Sequence, residues 1–392
     1  MIRNLINKKY IIYGLSLIFS RGIELLILFY TAKLLSKNEY GELEFYKKVI
    51  ELGGAFVSFG FPALILTYTR SDKSKLYMFS FASFISVSLI IILLPVLLYM
   101  NLTFLSIPIL FYALFFTGSI VQSYILVRYN SDMVSYYKII ISFLFYLGVL
   151  VTVVWFQKGK YAYVLPAYIL FPVFYLLSIR EMLISQFNWS IFIKYYKHFT
   201  KLLSASFSLV INNFSNIMFL YTDIFLIKYL SNKPNIEIAD YSFSLNVANI
   251  LIMIPLTLVQ VDIEKLKIHP EYFKKLNKKI ITLVVFLSLF LAIFYYIITK
   301  SIFIKYQNTL ILFLILLIAK IFQSFSTING TSLLIRKKFN ITVIINLIMI
   351  IVNVVISFIL YPFLGLYGIA LTSLICLVLR FIVLNLFRKK YF

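Results

Sequence analysis

The sequence predicts an all-α polytopic membrane protein, with about 12 transmembrane helices in two six-helix lobes around a central cavity. Its 392 residues are 62% hydrophobic and only 13% charged, and the mean hydropathy is +0.96. Soluble domains are nearer half apolar and a quarter charged. This composition excludes an ordinary soluble enzyme. The 40 phenylalanines and 30 tyrosines also exclude a disordered chain, which would lack so much apolar surface.

The apolar residues form long runs rather than alternating patterns. A helix that crosses a bilayer needs about 20 mostly apolar residues, whereas outer-membrane strands alternate and are about half that length. The predicted spans of the first half are Tyr10–Leu34, Phe45–Tyr68, Leu76–Tyr99, Leu102–Val127, Val134–Phe156 and Tyr161–Ile179. Those of the second half are Leu202–Leu230, Ile236–Val261, Ile280–Thr299, Thr309–Leu334, Ile341–Tyr361 and Leu364–Phe387.

Basic residues set the predicted orientation. The chain has 37 Lys and Arg against 14 Asp and Glu, and the basic residues cluster in the short connections between the apolar runs. If both termini are cytoplasmic, most of these residues lie in cytoplasmic loops, as the positive-inside rule requires. We therefore expect a multi-pass membrane protein with both termini cytoplasmic, whose basic loops meet anionic lipid headgroups rather than nucleic acid.

The first apolar run is predicted to remain as a membrane helix. It begins like a signal peptide, but Arg21 and Glu24 interrupt it and no small-residue cleavage site follows.

The single cysteine, Cys376, excludes an intramolecular disulfide, and the two histidines, His198 and His269, lack neighbouring ligand types, so we expect no metal site. The sequence also has no nucleotide-binding motif. We expect no cofactor, and transport would be driven by a proton or sodium gradient or by the substrate gradient.

The chain divides into two predicted lobes, 1–190 and 191–392. AKLLSKNEYGELEFY, after the first span, resembles IKYLSNKPNIEIADYSFS, after the seventh, and the helix after each contains a proline, Pro62 or Pro255. Repeats with an even number of spans have the same topology, an arrangement used by transporters with the substrate path between the halves. Coincidence in a chain so rich in Leu, Ile, Phe, Asn and Lys is the alternative.

Six charged residues interrupt the predicted spans. A charge at the centre of a span costs about 2.5–3.5 kcal/mol, so most of them must face a partner or a water-filled path. They are Arg21, Glu24, Glu51, Asp223, Lys320 and Arg380.

Each of these charges has a structural and a functional interpretation. Arg21 and Glu24 share one helix face, either as a buried ion pair or as a cationic contact for a substrate anion that Glu24 tunes. No acidic residue lies within a turn of Lys320, so a charged partner would come from another helix or from a ligand. Arg380 is expected to snorkel toward water, as are the charges between Glu44 and Lys48, while Glu51 lies deeper.

Amide side chains form two further stripes at helical spacing. Asn212, Asn216 and Asp223 share a face of the seventh span, and Asn246 and Asn249 share a face of the eighth. Interhelical hydrogen bonds are the usual role of such amides. A polar cavity lining for a hydroxyl-rich substrate is the alternative.

Two segments resemble the polysaccharide flippases (Wzx-type O-antigen and capsule exporters) of the multidrug/oligosaccharidyl-lipid/polysaccharide (MOP) exporter superfamily. The first segment is GLSLIFSRGIELLILFYTAKLLSKNEYGELEFY, with its turn at Leu35, Ser36, Glu39, Tyr40 and Gly41. The second is TDIFLIKYLSNKPNIEIADYSFSLNVANILIMIPLTL, with Asp223 and the run Ala239 to Ser242. The resemblance in layout covers essentially the whole chain.

This resemblance implies a flippase that moves a polyprenyl-pyrophosphate-linked oligosaccharide from the cytoplasmic to the outer leaflet, for O-antigen, lipopolysaccharide or capsule assembly. Its expected partners are that lipid-linked substrate, membrane lipids and other polysaccharide assembly proteins. Arg21 and Lys320 fit the anion role and Asn212, Asn216, Asn246 and Asn249 the sugar role, while Glu24, Glu51 and Asp223 are the candidates for proton or sodium coupling.

Two other functions stay open at this stage. A drug/cation antiporter of the same superfamily would need a mainly acidic cavity, whereas acids and bases are mixed here. A membrane polysaccharide polymerase or ligase would usually carry a large external loop, and no connection between spans is long enough for a folded domain.

Overall fold

The structure is a computed structural model that describes residues 8–69, 71–116, 118–129, 131–184, 189–261, 266, 272–336 and 338–391. The described part is all-helical and contains no strand. The helices of its first half are α1 (Lys8–Leu34), α2 (Lys37–Val57), α3 (Phe61–Tyr68), α4 (Asp72–Tyr99), α5 (Ser106–Leu114), α6 (Ile120–Arg128), α7 (Ser131–Phe156) and α8 (Gly159–Ile184). Those of the second half are α9 (Trp189–Leu230), α10 (Pro234–Val261), α11 (Tyr272–Ser301), α12 (Leu310–Ile335), α13 (Phe339–Leu364) and α14 (Leu366–Tyr391). Short 3₁₀ turns at Thr103–Leu105 and Ile304–Thr309 precede α5 and α12.

The fold class predicted from the sequence, a polytopic membrane protein of about 12 helices, is confirmed. Within the described residues, eight helical stretches are long and apolar enough to cross a membrane. They are Asp72–Tyr99, Asp132–Phe156, Gly159–Ser178, Pro234–Val259, Tyr272–Ser301, Ile304–Leu333, Asn340–Leu364 and Leu366–Lys390. All of the predicted spans but two correspond to one helix each.

The predicted span Phe45–Tyr68 is interrupted, because the helix breaks between the end of α2 at Val57 and the start of α3 at Phe61. Phe59 and Gly60 have φ values of 45° and 73°, a left-handed conformation that an α-helix cannot continue through. Pro62 then lies in the first turn of α3, where its missing N–H removes no helical hydrogen bond. The prediction of one continuous span was therefore wrong at this point.

The predicted span Leu102–Val127 is likewise two helices. α5 ends at Leu114, and α6 begins at Ile120 after Gly118, which has a φ of 73°. The Ser119 hydroxyl accepts a hydrogen bond from the backbone N–H of Gln122, an N-cap that stabilises the new helix start. The Gly-Ser pair was the available sequence signal for this break.

The chain forms two compact units, of which the first comprises 1–35 and 46–214 and the second comprises 36–45 and 215–392. In the first unit α1 packs along α7, α7 packs against α8, and α5 contacts both α4 and α8. Aromatic rings join α5 to α7, where Phe111 and Phe145 stack with ring centroids 5.5 Å apart. In the second unit α12 packs against both α10 and α14, and α13 packs against α14.

The start of α2 belongs to the second unit, where it packs on the start of α10. Lys37 forms an ion pair with Asp240 at 2.6 Å, and the Tyr40 and Tyr306 rings meet edge to face at 6.3 Å. A Cβ added to Gly41 would lie 1.7 Å from the backbone carbonyl oxygen of Asn235. The two segments that resemble each other in sequence thus pack together, and glycine is required where their backbones meet.

We predict that Gly41→Ala destabilises the protein by about 1–3 kcal/mol, the usual range for overpacking a close contact. The neighbouring atoms are backbone, so a side-chain rotation cannot relieve the clash. Thermal melting of the purified protein in detergent measures the effect. Gly330→Ala is the control, because an added Cβ there has no neighbour within 4 Å. Equal melting temperatures for Gly41→Ala and wild type would contradict the contact.

Candidate functional site

Asp223 is the centre of a buried polar cluster in the second unit. It lies on α9 and is 4% exposed. The hydroxyls of Tyr241 (α10) and Ser373 (α14) both donate to its Oδ2, and the Asn353 amide (α13) donates to its Oδ1 at 3.0 Å. Ser357 in turn donates to Asn353 Oδ1 at 3.2 Å. We call Asp223, Tyr241, Asn353, Ser357 and Ser373 the Asp223 cluster.

The geometry of the Asp223 cluster follows from the cost of burying a carboxylate. An ionised carboxylate away from water is tolerated only when donors replace its hydration. Hydrogen bonds to a charged group contribute about 1.5–3 kcal/mol each, and here three of them come from three different helices. Asp223 therefore ties four helices of the second unit together through one side chain.

Lys320, on α12, brings a fifth helix and a positive charge to the same place. It is 5% exposed, and its Nζ donates to Gln323 Oε1 at 2.9 Å. Lys320 and Asp223 line one cavity of about 10 Å³ together with Phe219, Tyr241 and Ser373. That volume holds about one water molecule. The predicted cation therefore shares its cavity with an acidic residue of another helix.

Arg380 is a second cation in this unit that faces inward. Its Nε donates to Asn346 Oδ1 at 3.1 Å, and its guanidinium lies 5.6 Å from the centroid of the Phe219 ring. Arg380, which was expected to snorkel to water, thus has inward contacts and is half-buried. Phe219 also lines the cavity shared by Lys320 and Asp223, so both cations lie near this ring.

The first unit contains a separate buried ion pair. Lys47 Nζ lies 2.9 Å from Glu24 Oε1, with side-chain exposures of 2% and 13%. The ammonium also lies 5.9 Å from the centroid of the Tyr163 ring. Glu24, on α1, thus has a cationic partner on α2. The side chain of Arg21, three residues before Glu24, lies outside the described residues.

The charges of α2 are arranged differently from the prediction. Glu44, Lys47 and Lys48 are buried, with exposures of 0%, 2% and 6%, so they do not snorkel. Glu51 pairs with Lys48 at 3.3 Å, and its side chain is 20% exposed. Glu51, which was expected to lie deeper in the membrane than these residues, is more exposed within the protein than they are.

The predicted amide stripes are only partly described. The Asn246 amide donates to Glu44 Oε1 at 3.0 Å and to the Tyr40 hydroxyl at 3.3 Å, both within the second unit. These are interhelical hydrogen bonds, the more common of the two roles considered for such residues. Asn249 is half-buried. The side chains of Asn212 and Asn216 lie outside the described residues.

Asp223 and Lys320 could be predicted as candidates from their apolar context, but their neighbours Tyr241, Asn353 and Ser373 were not predicted. Asn353 was the most visible signal, because it is an amide in the middle of the apolar helix α13. Across the described residues, no three His, Cys, Asp or Glu side chains come together to hold a metal ion.

The fold is similar to that of solved membrane transporters. No protein-family model matches the sequence, and no curated protein sequence matches it. A multidrug resistance MATE family transporter of the MOP superfamily, in an inward-facing conformation, superimposes with a TM-score of 0.69 at 13% identity, covering 98% of both chains. The lipid II flippase MurJ, in an inward closed conformation, gives 0.64 at 14% identity, covering 97% of this chain and 87% of MurJ.

A third similar structure is a MOP superfamily transporter from Pyrococcus furiosus, described as having a binding pocket of reverse polarity that suggests a different function. It superimposes with a TM-score of 0.52 at 12% identity and covers 98% of this chain and 95% of its own. The chain thus has a MATE- and MurJ-like fold, and at these identities the likeness extends to the fold alone.

We predict that the Glu24–Lys47 pair is energetically coupled. Lys47→Met leaves a buried carboxylate without this partner and should destabilise by about 3–5 kcal/mol. The double variant with Glu24→Gln should lose less than the sum of the two single variants, by about 0.5–3 kcal/mol. Thermal melting of all four proteins in detergent gives the cycle.

The matched control for this cycle is the exposed pair Asp72–Lys75, which has the same 2.9 Å separation with an 83% exposed aspartate. Asp72→Asn and Lys75→Met should change the melting temperature much less, because water screens the pair. Strict additivity of the Glu24 and Lys47 variants would show that the buried contact is not an ion pair.

Proposed function

We propose that the chain is a flippase that moves polyprenyl-pyrophosphate-linked oligosaccharides from the cytoplasmic to the outer leaflet by alternating access. The observation that carries this proposal is the fold, which matches both a transporter and a lipid II flippase over 97–98% of the chain. A lipid flippase and a drug exporter thus share the architecture. The choice between them rests on the charges that the helices bury.

The cations among the helices favour an anionic substrate. Lys320 is buried in the second unit, Arg380 is half-buried there, and Arg21 is predicted within the first span. The alternative, a drug/cation antiporter, needs a mainly acidic binding site that attracts its cationic substrate. The affinity of that site must then fall for the substrate to be released. The Pyrococcus furiosus transporter has a similar fold, and its pocket of reverse polarity suggests a different function. A basic site in this chain would be a comparable change of binding-site charge within one fold.

The proposed substrate matches these side chains by its chemistry. A pyrophosphate is a strong hydrogen-bond acceptor with more than one negative charge, and Arg and Lys bind it by charge-assisted hydrogen bonds. Sugar hydroxyls pair with amides, a role that we propose for Asn212, Asn216 and Asn249, since the Asn246 amide already donates to Glu44 and Tyr40. The polyprenyl tail would stay in the bilayer throughout, so it would not have to leave an apolar environment.

We propose that a proton or a sodium ion couples to the cycle through Asp223, with Glu24 and Glu51 as the other candidates. Asp223 accepts hydrogen bonds from two hydroxyls and one amide N–H, and it shares a cavity with Lys320. A proton or Na⁺ at Asp223 would cancel its attraction for Lys320, leaving the ammonium available to a substrate phosphate. Binding of the ion and binding of the anion would then be linked.

The setting that we propose is the bacterial inner membrane, with both termini cytoplasmic and with other polysaccharide assembly proteins as partners. We also propose a transporter rather than a polymerase or ligase. The polymerase alternative would need reactive groups presented to the outer leaflet, whereas Asp223, Lys320 and Lys47 are buried among helices.

Deletion of the gene tests this function directly. The flippase proposal predicts that polyprenyl-linked repeat units accumulate on the cytoplasmic face and that surface glycan is lost. Extraction of lipid-linked oligosaccharides and their mass spectrometry measure the accumulation. Unchanged glycan export together with altered drug sensitivity would support the antiporter instead. Accumulation of flipped, unpolymerised repeat units on the outer leaflet would support the polymerase.

Single substitutions test the anion role of the cations. Lys320→Ala and Arg21→Ala should each reduce complementation of the deletion strain by at least about tenfold, since each removes a charge-assisted contact. Protein levels in the membrane are quantified in parallel, so that loss of folding is separated from loss of transport. Lys279→Ala, an exposed lysine at the start of α11, is the matched control and should complement fully. Full complementation by both test variants would overturn the cavity assignment.

A further inference from the structure

A second polar cavity lies in the second unit, away from the Asp223 cluster. It is formed where α11 begins and where α12 and α14 end, and its volume is about 240 Å³. Its lining combines three amides, one guanidinium and two aromatic rings: Asn277, Asn329, Asn385, Arg388, Phe325 and Phe381. The transport function proposed above uses none of these residues.

Asn329 indicates that this cavity is built to hold something polar. It is 4% exposed and lines the cavity, yet none of the described groups forms a hydrogen bond with its side-chain amide. A buried amide carries two donors and an acceptor, and leaving them without partners costs about 1–3 kcal/mol. Asparagine in the last turns of an apolar helix is therefore best explained by a partner that enters the cavity.

Arg388 supplies a fixed positive charge beside this amide. Its Nη2 donates to Asn385 Oδ1 at 2.8 Å, and its guanidinium lies 4.3 Å from the centroid of the Phe273 ring. Its Nε is buried and has no acceptor among the described residues. The two contacts hold the guanidinium in one orientation, while a donor is left for another group.

The donors of this cavity suit a phosphate group. None of the residues that line it is acidic, and the amides and the guanidinium together offer many more N–H donors than their neighbours accept. A phosphate oxygen accepts several such hydrogen bonds, and guanidinium groups bind it through paired donors. Lys274 and Lys278 are both exposed on α11, within a turn of Asn277, and add positive charge to this end of the helix.

The surface next to the cavity indicates that this phosphate belongs to a lipid. Ile281 lines the cavity and is 39% exposed, and Val285 and Leu289 continue its face of α11 with exposures of 47% and 63%. On α14, Ile382 and Leu386 are likewise exposed, at 46% and 61%. A volume below the usual 300–1,000 Å³ of a small-molecule pocket fits a headgroup and leaves acyl chains on these apolar faces.

We propose that this cavity binds the phosphate of a membrane lipid, with Asn329 and Arg388 as the residues that hold it. Basic pockets between transmembrane helices commonly bind anionic headgroups. The site is separate from the proposed transport path, so its test measures binding rather than export, and either proposal can fail without the other.

Native mass spectrometry of the purified full-length protein in detergent tests the site, with phosphatidylglycerol, undecaprenyl phosphate, diacylglycerol and inorganic phosphate as separate probes. The two phospholipid probes should bind, and Arg388→Gln and Asn329→Leu should each weaken that binding about tenfold. Lys279→Gln removes one positive charge from α11 outside the cavity and should leave the affinity unchanged. Because Arg388 lies at a helix end, its variant keeps the test valid if Asn329→Leu fails to fold.

Three results would overturn the proposal. Equal lipid binding by wild type and Arg388→Gln would show that the cavity is not the site. Equal binding of diacylglycerol and phosphatidylglycerol would show that no phosphate is recognised. Saturation by inorganic phosphate, without any gain from a lipid tail, would assign the cavity to a free anion.

Discussion

The arrangement of the second unit depends on one constraint, that a carboxylate within apolar helices must be surrounded by donors. Asp223 meets this requirement through Tyr241, Asn353 and Ser373, each on a different helix. The same requirement brings Lys320 to the cavity that Asp223 lines. A cluster held by several hydrogen bonds at once has few alternative geometries, so adding a proton, a cation or an anion to it would alter how four or five helices pack. That property makes it a suitable place to link ion binding to movement.

A second feature connects the sequence repeat with packing. The start of α2 and the start of α10 carry similar sequences, and both lie in the second unit, in contact at Gly41 and Asn235. Lys37 and Asp240 then pair across this contact, and Asn246 links to Glu44. The Leu-Ser, Glu-Tyr-Gly pattern that resembles polysaccharide flippases is thus explained by close helix packing. Its glycine is needed for steric reasons, whatever the substrate is.

Much of the fold could be predicted from hydropathy, because a span needs a long apolar run and the runs are plain in the sequence. The breaks at Phe59–Gly60 and at Gly118 could not, since hydropathy does not report a positive φ. For the candidate site, apolar context singled out Asp223 and Lys320, but their partners Tyr241 and Ser373 are common residue types that only the three-dimensional packing brings together. Burial of Lys47 and Lys48 was missed because lysines near a helix start usually reach water, and here Glu24 and Glu51 hold them inside.

Transfer of a lipid-linked oligosaccharide across the bilayer is most directly measured in proteoliposomes that contain only the purified protein. A fluorescent polyprenyl-pyrophosphate oligosaccharide is incorporated in both leaflets, and a membrane-impermeant reductant bleaches the outer pool. The account predicts that protein-containing vesicles lose nearly all fluorescence, that protein-free vesicles lose about half, and that Lys320→Ala vesicles resemble the protein-free ones. Retention of the inner pool by wild-type vesicles, under both proton and sodium gradients, would contradict it.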